Sequence, residues 1–547
     1  MRNINLRYVK EEYDSKGKLC KYEMKAPEDF NFAYDVVDDI AVNDPSRRAL
    51  VWCDTSGNSK TFTFAEMKRL SDKAANYFLS LGIKKGEAVM ITLKNRPHFW
   101  YVLMGLHKIG ALAIPATFML KKHDVEYRVN SASIVAIVCT DTDDLPEAID
   151  SAENIPTLRH KILLEGKREG WDDLDEGIDK ASETLQRIPT KIRDPMLMYF
   201  SSGTTGMPKM VLHDYSYAIG HLFTAKHWHR VNSEGLHYTI ADTGWAKAAW
   251  GKVYGQWLME SAVFTYDYDK FVADDVLDAV SKHGVTSLCC PPTMFRMFLN
   301  DGNVRGHDLS SLEYTTVAGE ALNPDVYQKW YDATGLKLME GYGLTEATVV
   351  VCNTLGMEPR PGSMGKPSPQ YVIDIIDLDG NSCPAGVSGE IVIGIDPKPA
   401  GMMVEYYRDP EKTASTLNGK WMHTGDVAWK DEDGYIWYIS RNDDIIKSSG
   451  YRIGPFEIES VLAHHPAVKE SAVTGVPDDV RGQLVKATIV LRDGYKPSDE
   501  LKKDIQNYVK RETAPYKYPR LVEFVSVLPK TLSGKIKRAE IRGADKK

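Results

Sequence analysis

Hydrophobic positions along the first 440 residues switch between two periods. From Phe64 to Leu81 (FAEMKRLSDKAANYFLSL) apolar side chains recur every three or four residues and stop at Gly82, the pattern of an amphipathic helix ended by glycine. The apolar run from Ala88 to Leu93 follows as a buried strand. The same alternation returns at His98 to Ile109 before Ala111 to Ile114, and at Asp275 to His283 before Val285 to Cys290. Strands alternating with helices predict a largely parallel sheet with helices on both faces. No fixed-period repeat or low-complexity segment interrupts the pattern.

From Met364 to Tyr438 short alternating strands are separated by turn signals at Asp379-Gly380, Pro384-Ala385-Gly386, Asn418-Gly419 and Asp433-Gly434, which predicts an antiparallel sheet or small barrel. Beyond Arg441 a third pattern begins, with a helix opened by Pro455 and strands at Ser471 to Val476 and Val485 to Leu491. A helix from Asp499 to Arg511 capped by Ser498 and a strand-like run at Leu521 to Val527 complete it. The expected architecture is α/β. A large multi-layer N-terminal domain (1–442), with parallel sheets and an antiparallel barrel-like part at 364–442, is joined at Asn442-Asp443 to a small α+β domain (443–547).

Composition narrows this only a little. The 547 residues exceed a single small module, and 43% hydrophobic with 26% charged residues is ordinary globular usage. The net charge of −8 argues against general nucleic-acid binding, but the charge is uneven. From Asp444 to the end there are 20 basic and 14 acidic residues, against 48 and 62 before it. A basic unit on an acidic body suits an anionic partner, although a solvated surface explains the charge equally well. Seven cysteines without a C-x-x-C pair encode neither a disulfide framework nor a zinc site, and a reducing cytoplasm is expected. The charged start, Met1 to Ser15, predicts no export signal. The uncharged run from Ile109 to Leu120 is too short to span a bilayer.

The sharpest chemical signal is MLMYFSSGTTGMPK, Met196 to Lys209. An apolar run breaks into Ser201, Ser202, Gly203, Thr204, Thr205 and Gly206 before Lys209. Glycines turn backbone N–H groups toward one point, hydroxyls add donors and the lysine adds charge, which suits a polyphosphate. It is not a Walker A loop, because Pro208 and Met210 replace the second glycine and the Ser/Thr. In isolation such a turn is usually a plain loop.

Five further segments stand with it in one order: VAGEAL (317–322), EGYGLTEA (340–347), HTGD (423–426), RNDDIIKSSGYRIGPFEIE (441–459) and LPKTLSGKIKR (528–538). Together they resemble the acyl-adenylate-forming superfamily over essentially the whole chain. SSGYRIGP, TAPYKYPR (513–520) and LPKTLSGKIKRA look most like medium-chain acyl-CoA synthetases. That resemblance implies an AMP-forming ligase: a carboxylate attacks the α-phosphorus of ATP, pyrophosphate leaves, and a thiol then displaces AMP. The first step crowds anions together, so positioning and charge compensation must carry it.

The resemblance also implies roles. The 201–209 loop holds the β- and γ-phosphates, Glu346 helps bind Mg²⁺, and Thr345 lies near the α-phosphate and the substrate carboxylate. Glu320, Ala321, Glu340, Gly341 and Tyr342 border the adenine, while Asp426 and Arg441 hold the ribose. Lys535 is the catalytic cation of adenylation. Ser449, Gly450 and Tyr451 meet the pantetheine of coenzyme A, with Arg481, Tyr516, Lys517 and Tyr518 at its nucleotide end and Arg452 near the acyl-adenylate or coenzyme. Lys535 and Gly450 serve different steps from one small mobile domain that rotates about a hinge at Asp443.

The segment Asp242-Thr243-Gly244-Trp245-Ala246-Lys247 and Trp250 resemble the family's acyl wall, with Ala318 facing them. Gly343, where acetate-specific relatives carry tryptophan, is expected to leave the floor open for acids longer than acetate. A cation on an apolar wall must reach water or an acceptor, so Lys247 either snorkels from the pocket mouth or limits chain length, favouring compact or branched acids. Other signals carry less. His221, His227 and His229 lack suitably spaced partners and are expected on a helix surface. Asp431 to Gly434 reads as a hairpin turn, not a calcium loop, and Cys289 and Cys290 as core.

The expected activity is therefore an ATP-dependent acyl-CoA synthetase with small-molecule partners: a short-to-medium carboxylic acid, ATP with Mg²⁺, and coenzyme A. Neither nucleic acid nor a membrane span is expected, and homo-oligomerisation is left open. The rivals are an adenylation enzyme loading a carrier protein in trans and a nonenzymatic nucleotide sensor, which carboxylate-dependent ATP/pyrophosphate exchange would separate.

Overall fold

The computed structural model describes residues 3–545 except 16, 18, 142–143, 202–206, 450 and 531–534, with 452 and 515 described by backbone alone. The helix expected from Phe64 runs Phe64–Ser80, and its start is fixed by a reciprocal cap. The Thr63 hydroxyl accepts from the Glu66 N–H, and the Glu66 carboxylate accepts from the Thr63 N–H. The helix His98–Ile109 is buried on every face after its first residue and ends where Gly110 takes the left-handed conformation (φ 71°). Such a helix must lie between two layers. Its Lys108 is fully enclosed and bridges Asp38 (2.8 Å) and Asp72 (2.6 Å), the pairing that a buried ammonium requires.

Two sheets sandwich this helical layer. One has eight strands in the order Glu405–Tyr406, Lys209–Asp214, Pro195–Ser201, Leu112–Pro115, Ala88–Thr92, Ile134–Thr140, His160–Leu164 and Asp172–Asp173. It is parallel from Pro195–Ser201 onward and antiparallel at its first two pairings. The other has nine strands, with a parallel centre running from Arg48–Asp54 through Ala262–Asp267, Leu236–Thr239, Ser287–Cys290 and Tyr314–Val317 to Leu338–Gly343. Cys289 and Cys290 are core residues, as expected.

The strands Ile373–Ile376, Ser388–Gly394, Trp421–Lys430 and Ile436–Arg441 form the expected antiparallel unit. Asp431 to Gly434 is a turn, with Arg360 paired to Asp431 and Asp433. The C-terminal lobe is built on the long hairpin Val468–Asp478 and Gly482–Leu491. The helices Pro455–Leu462 and Asp499–Glu512 cover it, and Leu521–Phe524 adds a parallel edge. Ser498 caps the second helix as expected, accepting from the Leu501 N–H at 3.1 Å.

The histidine expectation is corrected. His221 and His229 are buried, and the half-buried His227 faces Glu11 at 2.7 Å beside Lys226. The charged N-terminus forms a hairpin, Val9–Tyr13 with Leu19–Met24, that docks Glu11 over this helix and so covers a face the local sequence leaves open. Among the described residues no helix is long and apolar enough to cross a membrane.

Candidate active site

The strands Pro195–Ser201 and Lys209–Asp214 form a hairpin in which Ser201 pairs with Lys209, so the lysine stands at the root of the Ser/Gly/Thr turn. Ser202, Gly203, Thr204, Thr205 and Gly206 themselves lie outside the described residues. The Lys209 ammonium lies 5.4 Å from the centre of the Tyr406 ring. Partial burial lowers its pKa, Lys412 and Arg441 add to that, and Glu346 opposes it.

Thr345 and Glu346 follow the strand Leu338–Gly343 and are held from three directions. His213 Nε2 donates to the Thr345 carbonyl at 2.9 Å, the Met403 N–H donates to the Glu346 carbonyl at 2.7 Å, and the Tyr406 hydroxyl donates to Glu346 Oε1 at 2.7 Å. Burial pushes the His213 imidazole down to about 3, so this ring is a neutral donor and not an acid. Among the described residues no three His, Cys, Asp or Glu side chains converge as a metal cage. A lone carboxylate beside a phosphate-side lysine is instead the donor set that suits Mg²⁺ arriving with substrate phosphates.

Asp426 is buried and accepts from the Tyr342 hydroxyl at 2.6 Å, with Arg441 3.7 Å away. Burial raises its pKa, while Arg441 and Tyr342 stabilise the ionised form. Glu340, expected beside the adenine, has a buried carboxyl. Oε1 accepts from the Leu322 N–H at 3.2 Å, and burial pushes the group up to about 8, leaving it neutral at pH 7. It supports the loop carrying Glu320 and Ala321. Gly341 lies flat on Trp228, and a Cβ there would come within 2.5 Å of the indole. The Glu320 carboxylate accepts from the Thr293 hydroxyl at 2.9 Å.

Lys535 reaches this group from the C-terminal lobe. The residue keeps accessible surface yet is crowded by protein. That crowding lowers its pKa. Glu320 and Asp426 oppose the shift, and Lys247 and Arg441 add to it. Arg441 lies 3.6 Å from Asp443, and the neighbouring Asp444 is paired with Arg542 at 2.5 Å.

On the acyl side the Lys247 ammonium donates to the Ala318 carbonyl at 2.7 Å, so the cation has its acceptor across the pocket. Trp245 precedes the short helix Ala246–Gly251, which carries Lys247 and Trp250. At Gly343, expected to leave the acyl floor open, the Trp250 ring lies where a side chain at 343 would stand. An added Cβ would be 2.2 Å from its Cη2. The glycine makes room for tryptophan from another element.

The coenzyme candidates separate. Ser449 (φ 51°) accepts from Arg481 Nη1 at 3.0 Å, and Tyr451 stacks on Tyr516 with ring centres 4.0 Å apart. Both rings are exposed, Tyr451 by 49% and Tyr516 by 38%, and Lys517 pairs with Glu457. Tyr518 leaves this group, packing on the lobe core with its hydroxyl 2.6 Å from Arg520 Nη1. Gly450 is outside the described residues, as is the Arg452 side chain. Sequence reasoning missed Tyr406, His213 and Trp228. Only His213, which follows the apolar run Met210–Leu212, left a local signal.

A hairpin with Lys209 at its root, a carboxylate-bearing turn and a lysine from a second lobe are arranged as an adenylate-forming ligase requires. The model of the AMP-binding enzyme family matches residues 37–407, and that of the AMP-binding enzyme C-terminal domain matches residues 457–535. The mitochondrial acyl-coenzyme A synthetase ACSM3 of Mus musculus is 41% identical over 533 residues, covering 95% of this chain and 91% of that protein. Human mitochondrial ACSM5 is 41% identical over 531 residues, with the same coverage. The anthranilate CoA ligase AuaEII, solved with anthranoyl-AMP, superposes with a TM-score of 0.86 at 29% identity, covering 95% of this chain and 98% of that one. An acyl-CoA synthetase of Brucella canis gives 0.72 at 30% identity, covering 95% of each chain.

The chain belongs to the AMP-binding enzyme family, among the medium-chain acyl-CoA synthetases. It is an ATP-dependent acid–thiol ligase with ATP and coenzyme A as co-substrates. The cytoplasmic expectation is overturned, because these ACSM relatives are named mitochondrial. Unpaired cysteines mark a reducing compartment without choosing among those a cell contains.

Proposed function

We propose that this synthetase activates a compact, linear or branched acid of about four to eight carbons, longer than acetate but short of a long fatty chain. The Lys247–Ala318 contact supports this reading, since it ties a cation across the acyl wall next to Trp250. The acid's carboxylate oxygen attacks the α-phosphorus of ATP. The bond to the bridging oxygen breaks, and pyrophosphate leaves with the electron pair.

Lys535, standing in the cleft with Arg441, compensates charge at the α-phosphate and the carboxylate, and Lys209 does so at the β- and γ-phosphates. Thr345 orients the reacting groups and Asp426 holds the ribose. Glu346 is the residue that would hold Mg²⁺, whose bound form neutralises and orients the phosphates. In the second step the coenzyme A thiolate attacks the acyl carbon and AMP leaves. We assign Ser449, Tyr451, Arg481, Tyr516 and Lys517 to the coenzyme, without Tyr518. The exposure of the Tyr451–Tyr516 pair while Lys535 occupies the cleft supports alternate use of two faces of one lobe (443–547) turning at Asp443.

What supports this mechanism is that Lys535 is crowded by protein and interacts electrostatically with Glu320, Asp426 and Arg441. Carboxylate-dependent ATP/pyrophosphate exchange tests it. Lys535→Ala should slow exchange by roughly 10²–10³, and an undiminished rate overturns the assignment. AMP release with coenzyme A across linear, branched and aromatic acids, in wild type and Lys247→Ala, tests the acyl reading. An identical profile in the variant rejects a role for that lysine in selection.

A further inference from the structure

We propose that Tyr406 is a positioning residue that fixes the Glu346 carboxylate and the Lys209 ammonium relative to one another, and so sets the affinity for ATP in its Mg²⁺ form. This deepens, and rests on, the reading of those two residues as contacts to Mg²⁺ and phosphate.

Tyr406 comes from the two-residue edge strand Glu405–Tyr406, which pairs antiparallel with Lys209–Asp214 so that Tyr406 faces Val211. Val211 and Lys209 are two residues apart and share a face, which makes Lys209 the diagonal neighbour of Tyr406. That register brings the ammonium 5.4 Å from the ring centre, within reach of a cation–π contact. At the other end of the ring the hydroxyl is 2.7 Å from Glu346 Oε1. A carboxylate only accepts, so the phenol donates, and it occupies one carboxylate oxygen while leaving Oε2 for a cation.

The anchor is itself fixed. The Tyr406 N–H donates to the Thr413 hydroxyl at 3.0 Å, and the side chain is 4% exposed in a small cluster with Val211 and Met403. The adjoining Met403 N–H holds the Glu346 carbonyl, so one short segment grips both the backbone and the side chain of the carboxylate residue. Burial and Glu346 raise the phenol's pKa, keeping the donor protonated. A ring serving only to fill the Val211–Met403 cluster would need no hydroxyl.

The test measures ATP binding to the full-length protein by calorimetry without acid or coenzyme A, at a series of Mg²⁺ concentrations and in EDTA. Tyr406→Phe keeps the ring and loses only the donor, and thermal unfolding checks that it folds. Losing a hydrogen bond to a charged group should raise both Kd and the half-saturating Mg²⁺ by about ten- to a hundred-fold, with binding in EDTA unchanged. In a Glu346→Gln background the same change should add little. Wild-type behaviour of Tyr406→Phe beside a weakened Glu346→Gln overturns the inference and leaves the Mg²⁺ assignment standing. If Glu346→Gln also binds as wild type, the assignment fails and the inference with it.

Discussion

Gly343→Ala tests how tightly Trp250 packs against Gly343, at the proposed acyl site. An added Cβ would lie 2.2 Å from Trp250 Cη2, 2.8 Å from Cζ2 and 2.3 Å from the Thr348 carbonyl oxygen. Non-bonded carbons pack at about 3.5–4.0 Å, so the indole has to retreat by about 1.3 Å at least. The backbone oxygen has no rotamer to change. Trp228 stands edge-on to Trp250 at 6.2 Å, which blocks retreat on that side. Gly343 has no positive φ, so sterics alone decide the outcome.

Overpacking of this kind costs about 1–3 kcal/mol. Unfolding entropy of about 2.1 cal/mol/K per residue, over a domain of roughly 400 residues, converts that to a fall in Tm of about 1–4 °C. Each substrate methylene that the displaced ring evicts should lower kcat/KM by about four-fold, so longer acids lose more than shorter ones. Scanning calorimetry and an acid series read both effects, and Trp250→Phe in the Gly343→Ala background should recover part of each. Unchanged Tm with an unchanged acid profile would refute the placement of Trp250.

Asp443→Pro, which restricts the backbone where the lobe is proposed to turn, should leave one half-reaction largely intact and cripple the other; pyrophosphate exchange and thioester formation, measured separately, decide it, and equal loss of both counts against hinge action. Glu340 carries a pH signature. Its folded pKa of about 8 lies above the ordinary glutamate value of about 4.5, so the contribution to stability is full below about pH 4.5 and is lost as pH rises through 8. Denaturant midpoints should therefore fall across that window in the protein without ligand, and Glu340→Gln should flatten the fall; parallel curves would show that the carboxyl is ionised in the native state.

The elements themselves are legible because their causes are local. His98–Ile109 follows from the apolar run Phe99–Leu106, and the Phe64 and Asp499 helices announce an end at Gly82 and a start at Ser498. The six motifs, in order, mark where the chemistry lies. What stays hidden depends on partners far along the chain: Glu11 meets His227 across 216 residues, and Tyr406 meets Glu346 across 60. The Trp250 ring beside Gly343 was hidden for the same reason, since the space above a glycine belongs to whichever element topology brings there.

By itself, then, the sequence determined the order of helices and strands, the two-lobed division and the adenylate-forming chemistry, because periodicity, caps and motif residues act over one or two turns of chain. Tertiary structure alone decided which histidines are buried, that Trp250 fills the space beside Gly343, that the Glu340 carboxyl is buried against the Leu322 N–H, and that Tyr406 joins lysine to carboxylate. Those outcomes come from sheet register and from desolvation by distant segments, neither of which any local window of residues contains.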